Sequence, residues 1–425
     1  MKKALIITYY WPPAGGSGVQ RWLKFVKYFR NFGVEPVVYT VQNANYPICD
    51  ETLINDIPEG LEVLRQPIWE PNKIFSLFGK QKTESAGFLN PNPTFFGKIM
   101  QYIRANFFIP DARMFWVKPS VNYLQNYLDK NKIDVIITTG PPHSVHLIGL
   151  QLKKKLNIPW IVDFRDPWTQ IDYFHQLPLT KGSIKKHCKL EKEVVRSANT
   201  VIVVGKTMNK NYQRFNKNIV TITNGFDLES NENSVELDSK FTITHIGLMN
   251  ADRNPSMLWE VLAEICKTNI DFKNDFQLKL IGKIDASVTK KINEFKLSNN
   301  VEIVAYVSHN KVLEFQKKSQ VLLLIVNNVP SAKSIITGKI FEYLSAKRPI
   351  LAIAPKNGDL AEILNKSCAG VVINFDEKEH LKRTILKLYN QFKSNLLQVN
   401  SKGIEKYHRK ALTKKVSEII YKIAE

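Results

Sequence analysis

The sequence of 425 residues is poor in cysteine and has no long apolar segment. The four cysteines, Cys49, Cys188, Cys266 and Cys368, show no C-x-x-C spacing. This pattern argues against a disulfide framework or a zinc ribbon and favours a reduced, cytoplasmic compartment. Apolar runs such as residues 321–326 are far shorter than the roughly 18 residues that a membrane-spanning helix needs.

Several short catalytic signatures are also absent. The sequence contains no G-x-S-x-G elbow and no D-x-D pair. The Gly338–Lys339 pair is followed by isoleucine, and position 333 is lysine rather than glycine, so this stretch is not a Walker A loop. The start, MKKALIITYYW, has a short apolar run without a small-residue cleavage site. It predicts a buried first strand and not a signal peptide.

Positive charge is abundant. Sixty Lys and Arg against thirty-nine Asp and Glu give a net charge of +21, which indicates an anionic partner or surface. Residues 71–118 contain seven basic, two acidic and ten aromatic residues. Such a segment is suited to lie on an anionic membrane. A solvated, lysine-rich exterior around an ordinary aromatic core is the alternative.

Short apolar runs alternate with longer amphipathic segments along the chain. The runs in the first half are ALIITYY, VEPVVYT, DVIITTG, PWIVDF and NTVIVVG, with helical patterns at 19–32 and 144–156 between them. The pattern restarts after the polar stretch 227–240 with FTITHIGL, FQLKLIG, VEIVAYV, QVLLLIV, RPILAIA and AGVVINF. This alternation predicts parallel strands joined by crossover helices.

The sequence therefore predicts an α/β protein of two Rossmann-like domains that face each other across a cleft. We expect domains at 1–230 and 236–400 and a C-terminal helix at 401–425, whose return to the first domain is left open. Ligands of open parallel sheets collect at the carboxyl ends of the strands, so the motifs that follow the apolar runs are the candidate sites.

Two motif groups belong to the first domain. In WPPAGGSGVQR, Gly15 and Gly16 lead into a helix, where backbone amides can approach an anion. Arg21 occupies the place of the third glycine of a dinucleotide fingerprint, so an NAD site is not indicated; a tight structural turn is the alternative. The stretches TTGPPHSVH and IVDFRDPW follow neighbouring strands. Their polar side chains are expected to converge on a polar ligand, and the alternative is that they are ordinary core or surface residues. The five polar side chains are those of His143, Ser144, His146, Arg165 and Asp166.

The second domain contains two further candidate binding motifs. Arg253 in HIGLMNADRNP is suited to bind phosphate through its planar guanidinium, although a solvated loop arginine is equally compatible. In TGKIFEYLSAKRPIL, Gly338 precedes a short helix whose first amides are expected to bind an anion. Glu342, one turn further, is placed to accept two hydroxyl donors of a sugar, and a buried carboxylate without a partner is costly.

These stretches resemble the retaining glycosyltransferases of family 4, which have the GT-B fold, and in particular their bacterial capsule and lipopolysaccharide branch. The likeness rests on PPAGGSGVQR, GPPHSVHLIGL, DFRDPW, TNGFD and TGKIFEYLSAKRPIL. It implies that the C-terminal domain binds a nucleotide-sugar and that the N-terminal domain presents the acceptor, a saccharide that is expected to be lipid-linked.

The resemblance also implies roles for individual residues. Glu342 matches the second glutamate of the family's E-x7-E motif, which holds the ribose hydroxyls of the donor. The loop beside the diphosphate and the donor sugar corresponds to Thr337, Gly338 and Lys339, together with Gly15 and Gly16 of the first domain. The segment that contacts the base corresponds to Tyr306 and Val307. Arg253, Lys339, Arg165 and Asp166 are the expected catalytic residues, and Asp166 is a candidate either for orienting the acceptor or for shielding the developing oxocarbenium ion.

The chain departs from the family pattern at four positions. Ser334 stands where the first glutamate of E-x7-E is expected, and Leu248 replaces the arginine of the G-R-x4-K pair, while Arg253 takes the place of its lysine. Lys339 or Lys283 is expected to compensate for the lost positive charge. Arg165 replaces a histidine that is frequent in the family.

The resemblance implies a metal-independent reaction with retention and no cofactor, in which the leaving phosphate accepts the proton of the incoming hydroxyl. We expect the protein in the cytoplasm or peripherally on the inner face of the cell membrane. Three alternatives stay open: a nucleotide-sugar 2-epimerase of the same fold, a basic nucleic-acid-binding protein, and a non-catalytic relative. Recognition of specific nucleic acid is not expected, because no helix-turn-helix, RNP or zinc pattern occurs.

Overall fold

The computed structural model describes residues 1–44, 46–70, 94–227 and 235–425. The chain forms two compact units. The first contains Met1–Asn224 and Arg409–Glu425, and the second contains Gly225–His408. The C-terminal helix therefore belongs to the first unit, a point that the sequence left open. Two predicted features lie partly outside the described residues: the basic aromatic segment over 71–93, and the linker with its boundary at 230 over 228–234.

The first unit contains a seven-stranded parallel sheet in the order β3-β2-β1-β4-β5-β6-β7. Its strands are β1 (Lys2–Ile7), β2 (Val34–Val41), β3 (Glu62–Gln66), β4 (Val135–Gly140), β5 (Trp160–Phe164), β6 (Thr200–Val203) and β7 (Ile219–Thr221). Its helices are α1 (Ser17–Phe29), α2 (Phe95–Phe107), α3 (Val117–Leu128), α4 (Ser144–Leu156), α5 (Lys181–Ser197), α6 (Lys206–Tyr212) and the C-terminal helix, α14 (Arg409–Ile423).

The second unit contains a six-stranded parallel sheet in the order β10-β9-β8-β11-β12-β13. Its strands are β8 (Phe241–Ile246), β9 (Phe276–Ile281), β10 (Val301–Val304), β11 (Val321–Ile325), β12 (Ile350–Ile353) and β13 (Gly370–Ile373). Its helices are α7 (Ser256–Thr268), α8 (Ile270–Asp275), α9 (Ala286–Glu294), α10 (His309–Lys318), α11 (Lys339–Ser345), α12 (Asp359–Ser367) and α13 (Lys378–Lys393). Short 3₁₀ turns at Ala251–Arg253 and Ala332–Ser334 flank the site described below.

Central strands of both sheets are buried on both faces, which explains their nearly continuous apolar sequences. Every residue of β4, β8 and β11 is buried. In the first unit, Leu412, Val416 and Ile420 of α14 join the same core cluster as Trp22 and Val26 of α1. This packing anchors the C-terminal helix to the first sheet.

The predicted fold class is confirmed, because both units are parallel α/β structures. All eleven apolar runs form strands, whereas the edge strands β3 and β7 were not predicted. In the part of the chain that the structure describes, no helix combines the length and the apolar character needed to span a membrane.

Candidate functional site

Two glycine turns lie at the carboxyl ends of β8 and β9. Gly247 and Gly282 have φ angles of 107° and 117°, a region that side chains with a Cβ rarely adopt. The Gly247 N–H donates to the Ile281 carbonyl at 2.6 Å. A Cβ on Gly282 would lie 2.9 Å from the Gly247 carbonyl oxygen. The two loops therefore pack backbone against backbone, which only glycine permits here.

Arg253 folds back toward the end of β8. The loop that carries it continues the ladder, since the Met249 N–H donates to the Lys283 carbonyl at 3.0 Å. The Nη1 of Arg253 then donates to the Leu248 carbonyl at 3.1 Å. Its guanidinium is partly buried, so a fixed positive charge stands beside the glycine turns.

Lys339, the first residue of α11, lies directly against Gly247. A Cβ built on Gly247 would be 2.6 Å from both Cε and Nζ of Lys339. The partial burial of the lysine lowers the pKa of its ammonium to about 7; the positive charge of Arg253 contributes, and Glu342 acts in the opposite direction. Two basic side chains thus lie at the same strand end. The positive charge of each raises the free energy of the other's charged form unless an anion binds there.

His245, near the end of β8, is the third basic side chain of this cluster. Its Nδ1 lies 3.1 Å from the Leu323 carbonyl oxygen. Burial, followed by the positive charges of Lys339 and Arg253, lowers the pKa of His245 to about 3, so its imidazole is neutral at physiological pH. No role was predicted for His245 from the sequence, although a histidine among the apolar residues of a strand was a usable signal.

Glu342 lies one turn after Lys339 on α11 and is partly buried. Its Oε2 accepts a hydrogen bond from Nε2 of Gln316 on α10 at 3.2 Å. Gln316 is only 1% exposed, and its Oε1 has no hydrogen-bond partner among the described residues. Gln316 was not predicted from the sequence, because only the tertiary structure brings it to Glu342.

One hydrogen bond ties α11 to β8. The buried Tyr343 hydroxyl accepts from the Ile246 N–H at 3.1 Å, and the side chains of Tyr343, Phe341 and Ile340 are buried in the core. The apolar face of this short helix therefore sets where Lys339 and Glu342 stand. The carboxylate in the middle of an apolar stretch is thus held by a defined partner at the edge of the core.

The start of α11 differs from the expectation. The Lys339 N–H donates to Thr337 Oγ1, the Ile340 N–H donates to the Thr337 carbonyl, and the Phe341 N–H donates to the Gly338 carbonyl, all at 3.2 Å. The amides that were predicted to be free for an anion therefore mostly donate hydrogen bonds to acceptors within the protein. A Cβ on Gly338 would meet no atom within 4 Å, so the chain is open at that residue.

The remaining donor-site predictions lie at the surface or are used locally. Tyr306 is 75% exposed, Val307 is partly buried and Lys283 is exposed. Ser334, in the place of the expected glutamate, donates its hydroxyl to the Ser331 carbonyl at 2.8 Å. Within the described ranges, no group of three or more His, Cys, Asp or Glu side chains is placed to hold a metal ion.

The glycine loop of the first unit shows two different uses of glycine. The Gly15 N–H donates to the Ile48 carbonyl at 2.8 Å, and a Cβ on Gly15 would lie 3.0 Å from Cγ2 of Ile48. Gly16 has a φ of 84° and precedes α1, with open space around the position of a Cβ. A side chain at position 15 would therefore crowd Ile48, whereas at position 16 only the positive φ favours glycine.

Arg165 has a structural task. Its guanidinium donates to the carbonyl oxygens of Gly18, Gly140 and Pro141 and is buried. It therefore fixes the glycine loop and the loop after β4 relative to each other. Because these bonds occupy it, we assign Arg165 a positioning role in place of the direct catalytic role that was expected. Asp166, the next residue, is exposed.

The predicted acceptor residues come together but are mostly turned inward. His143 stacks on Trp168 with ring centroids 4.9 Å apart, and His146 Nδ1 lies 3.0 Å from Thr138 Oγ1. Burial holds the pKa of His143 well below its usual value and lowers that of His146 to about 3. Ser144 and His146 are fully buried. Among the described residues, His143 Nδ1, Ser144 Oγ and His146 Nε2 have no hydrogen-bond partner. The predicted contact of these residues with a ligand stays a prediction.

Comparisons with known proteins agree with this architecture. The family model Glycosyltransferase Family 4 matches residues 88–230, and the model Glycosyl transferases group 1 matches residues 240–391. Together the two matches span more than two thirds of the chain. No curated protein matches the sequence.

Solved structures are similar over the whole chain. The lipopolysaccharide outer core galactosyltransferase WaaB in its apo form is 12% identical with a TM-score of 0.61, and the match covers 99% of each chain. A mutant of S. aureus TarM in complex with fondaparinux, alpha-GlcNAc-glycerol and UDP is 13% identical with a TM-score of 0.58, covering 99% of this chain and 100% of that one. The UDP-GlcNAc 2-epimerase from Methanocaldococcus jannaschii is 14% identical with a TM-score of 0.55, again covering 99% and 100%.

Identities this low show the fold alone, which is GT-B. The family models add the activity class for both domains. The chain therefore belongs to the group 1 glycosyltransferases, with a family 4 domain at its N-terminal side, and is a glycosyltransferase of GT-B fold.

Proposed function

We propose that the second unit binds a nucleotide-diphosphate-sugar at the carboxyl end of β8. The observation that carries this proposal is that Lys339 lies against Gly247 while Arg253 donates to the carbonyl of the next residue, Leu248, with Glu342 one turn further along α11. Two neighbouring cations with a lowered lysine pKa make a site that gains strongly from an anion. A diphosphate supplies the required charge.

Arg253 and Lys339 bind the diphosphate and stabilise the negative charge that grows on it as the glycosidic bond breaks. Each 1.4 kcal/mol or so by which they lower the barrier increases the rate about tenfold. Glu342, oriented by Gln316, accepts hydrogen bonds from the ribose hydroxyls. The exposed Tyr306, with Val307, contacts the base, and Lys283 is a further cation near the diphosphate.

The reaction transfers the sugar with retention of configuration and without a metal ion or cofactor, as the family resemblance implies. The leaving phosphate accepts the proton of the acceptor hydroxyl, and Asp166 orients that acceptor. The acceptor is a lipid-linked saccharide in the synthesis of a surface polysaccharide, such as capsule or lipopolysaccharide. The structural similarity to WaaB, whose name is that of a lipopolysaccharide galactosyltransferase, supports a role in the synthesis of a surface polysaccharide.

The protein works in the cytoplasm, at the inner face of the cell membrane. Its net charge of +21 supports an anionic surface as a partner. A lipid-linked acceptor would lie at that same surface.

A nucleotide-sugar 2-epimerase is the second candidate, and the likeness to the M. jannaschii epimerase favours it. An epimerase needs no acceptor. Incubation with UDP-GlcNAc alone distinguishes the two activities. An isomerised sugar would support the epimerase. A sugar nucleotide that stays unchanged on its own and is consumed once membrane lipids are added supports the transferase.

A thermal-shift screen against UDP, GDP, ADP, CMP and their sugars tests the proposal. We expect one nucleoside diphosphate to raise the melting temperature of the wild type and to raise that of Arg253→Ala much less. The exposed Lys267→Ala, on α7, is the matched control and keeps the wild-type shift. A screen in which no nucleotide acts on the folded protein would contradict the proposed site and favour a non-catalytic relative.

A further inference from the structure

Helix α2 exposes five large apolar or aromatic side chains, and its one buried residue is a glycine. Phe95, Phe96 and Phe107 are 82%, 63% and 68% exposed, and Ile99 and Tyr102 are exposed as well. With 3.6 residues per turn, these five side chains occupy a continuous arc of about 140° of the helix. The buried Gly97 lies opposite. A helix that packed only against its own protein would show the reverse arrangement.

Basic residues border this arc on both sides. Lys98 and Arg104 are exposed, and the helical period places one beyond each edge of the apolar arc. Apolar side chains flanked by long basic ones are typical of a helix that lies in the interface of a membrane, because the basic stems extend to the phosphates while the rings enter the acyl boundary.

A second basic surface adjoins the end of α2. Asn106 donates to the Pro178 carbonyl and accepts from the Thr180 N–H, both at 2.8 Å, so the end of α2 is tied to the start of α5. On α5, four exposed lysines follow a helical stripe: Lys181, Lys185, Lys189 and Lys192.

More exposed rings continue the apolar surface beyond α2. Trp69 and Phe115 are exposed and pack edge to face with ring centroids 4.8 Å apart. Phe108, which directly follows α2, lies 5.9 Å from Phe115. Several large exposed apolar side chains in neighbouring positions mark an interaction surface rather than the scattered exposure of an ordinary exterior.

We propose that α2 and the lysine stripe of α5 form a docking surface for an anionic lipid bilayer, with the rings of Phe95, Phe96 and Phe107 inserted at the acyl boundary. The charge favours this occupant, since Lys98, Arg104 and the α5 stripe attract the anionic phosphates of lipid headgroups. An aliphatic side chain such as Ile99 in the middle of the arc offers nothing to a nucleic-acid base but partitions into lipid. This docking surface names the residues that would make the membrane contact of the proposed function. Only its biological purpose rests on that function.

Co-sedimentation of the full chain with vesicles tests the surface. We expect binding to vesicles of phosphatidylcholine and phosphatidylglycerol at low salt and little binding to phosphatidylcholine alone. Phe95→Ser with Phe96→Ser should lower partitioning on the order of tenfold or more. The matched control replaces the exposed Ile270 and Leu396 of the second unit by serine and keeps wild-type partitioning.

The charge contribution is tested separately. Replacing Lys181, Lys185 and Lys189 by glutamine should lower binding at low salt by on the order of a hundredfold, and the difference should shrink at high salt. The control replaces three exposed lysines of α14, Lys410, Lys414 and Lys415, and changes binding little.

Four outcomes would overturn the inference: no vesicle binding at low salt, unchanged partitioning of the phenylalanine variant, binding of an RNA homopolymer that the phenylalanine variant abolishes, or a dimer that the same variant dissociates. Equal melting temperatures show that the variants are folded. A UDP thermal shift on the same samples separates the two proposals, because loss of vesicle binding with UDP binding intact contradicts only the docking surface.

Discussion

Nucleotide binding is expected to take up a proton through Lys339. With a pKa of about 7, the side chain is about nine-tenths neutral at pH 8, whereas the terminal phosphate of UDP, with a second pKa near 6, is fully ionised. A diphosphate beside Lys339 raises the pKa of the ammonium again. Binding should therefore transfer on the order of 0.5 to 0.9 proton from the buffer to the protein at pH 8.

Isothermal titration calorimetry in buffers of different ionisation enthalpy measures this uptake. We expect the affinity of the wild type for UDP to fall as the pH rises from 7 to 9. In Lys339→Met, the uptake should drop to near zero and the affinity by roughly 10- to 100-fold, because one charge-assisted contact is lost. GDP and ADP are titrated in parallel, since the base is not fixed by this argument. The exposed Lys267→Met, on α7, is the matched control.

The same substitution should stabilise the free protein. The folded pKa of Lys339 lies below its usual 10.5, so the unfolded chain binds more protons between pH 7 and pH 10.5. The free energy of unfolding therefore rises with pH in that window and carries the full cost of the charge below pH 7. Since water reaches part of the side chain, we expect Lys339→Met to gain roughly 1–2 kcal/mol at pH 6, or about 2–8 °C in melting temperature. Equal proton uptake by the variant and the wild type, or none by either, would refute this reasoning.

Three further substitutions test the neighbours of Lys339. Glu342→Ala should weaken UDP binding about tenfold while the fold stays intact; an unchanged calorimetric affinity would contradict the ribose contact. Arg253→Ala should lower turnover of the sugar nucleotide by on the order of a hundredfold and stability by less than about 1 kcal/mol, so wild-type activity would exclude the phosphate contact. Gly247→Ala should destabilise the protein by about 1–3 kcal/mol, because its φ is 107°, and should also reduce proton uptake, because its Cβ would meet Lys339. A melting temperature and an uptake equal to wild type would show that the turn tolerates a side chain.

The sequence predicted the sheets well where strands are buried on both faces. Runs such as VLLLI in β11 and VIITTG in β4 are apolar or small throughout, because helices cover both sides of a parallel sheet. The two strands that it missed are edge strands. EVLRQ in β3 carries charge on its exposed positions, and IVT in β7 has only three residues. Neither pattern differs from a loop without knowledge of the neighbouring strand.

The structure brings together three residues that the sequence analysis named, and their roles stay predictions. Arg253 and Glu342 were named from their positions after a strand and inside a helix, and Lys339 was named from the family resemblance. The contact between Lys339 and Gly247 was not predictable, since it depends on how α11 is fixed to β8 by Tyr343. Gln316 was missed for the same reason. The start of α11 was expected to offer free amide groups to an anion. In the structure, Thr337 accepts the hydrogen bonds of the Lys339 and Ile340 amides.

A crystal structure of the protein with bound UDP tests the central claim most directly. The account predicts that the diphosphate lies within hydrogen-bond distance of Arg253 and Lys339, and that the ribose hydroxyls contact Glu342 while Gln316 still holds its other side. A diphosphate bound elsewhere on the protein, or a Glu342 carboxylate turned into solvent, would contradict it.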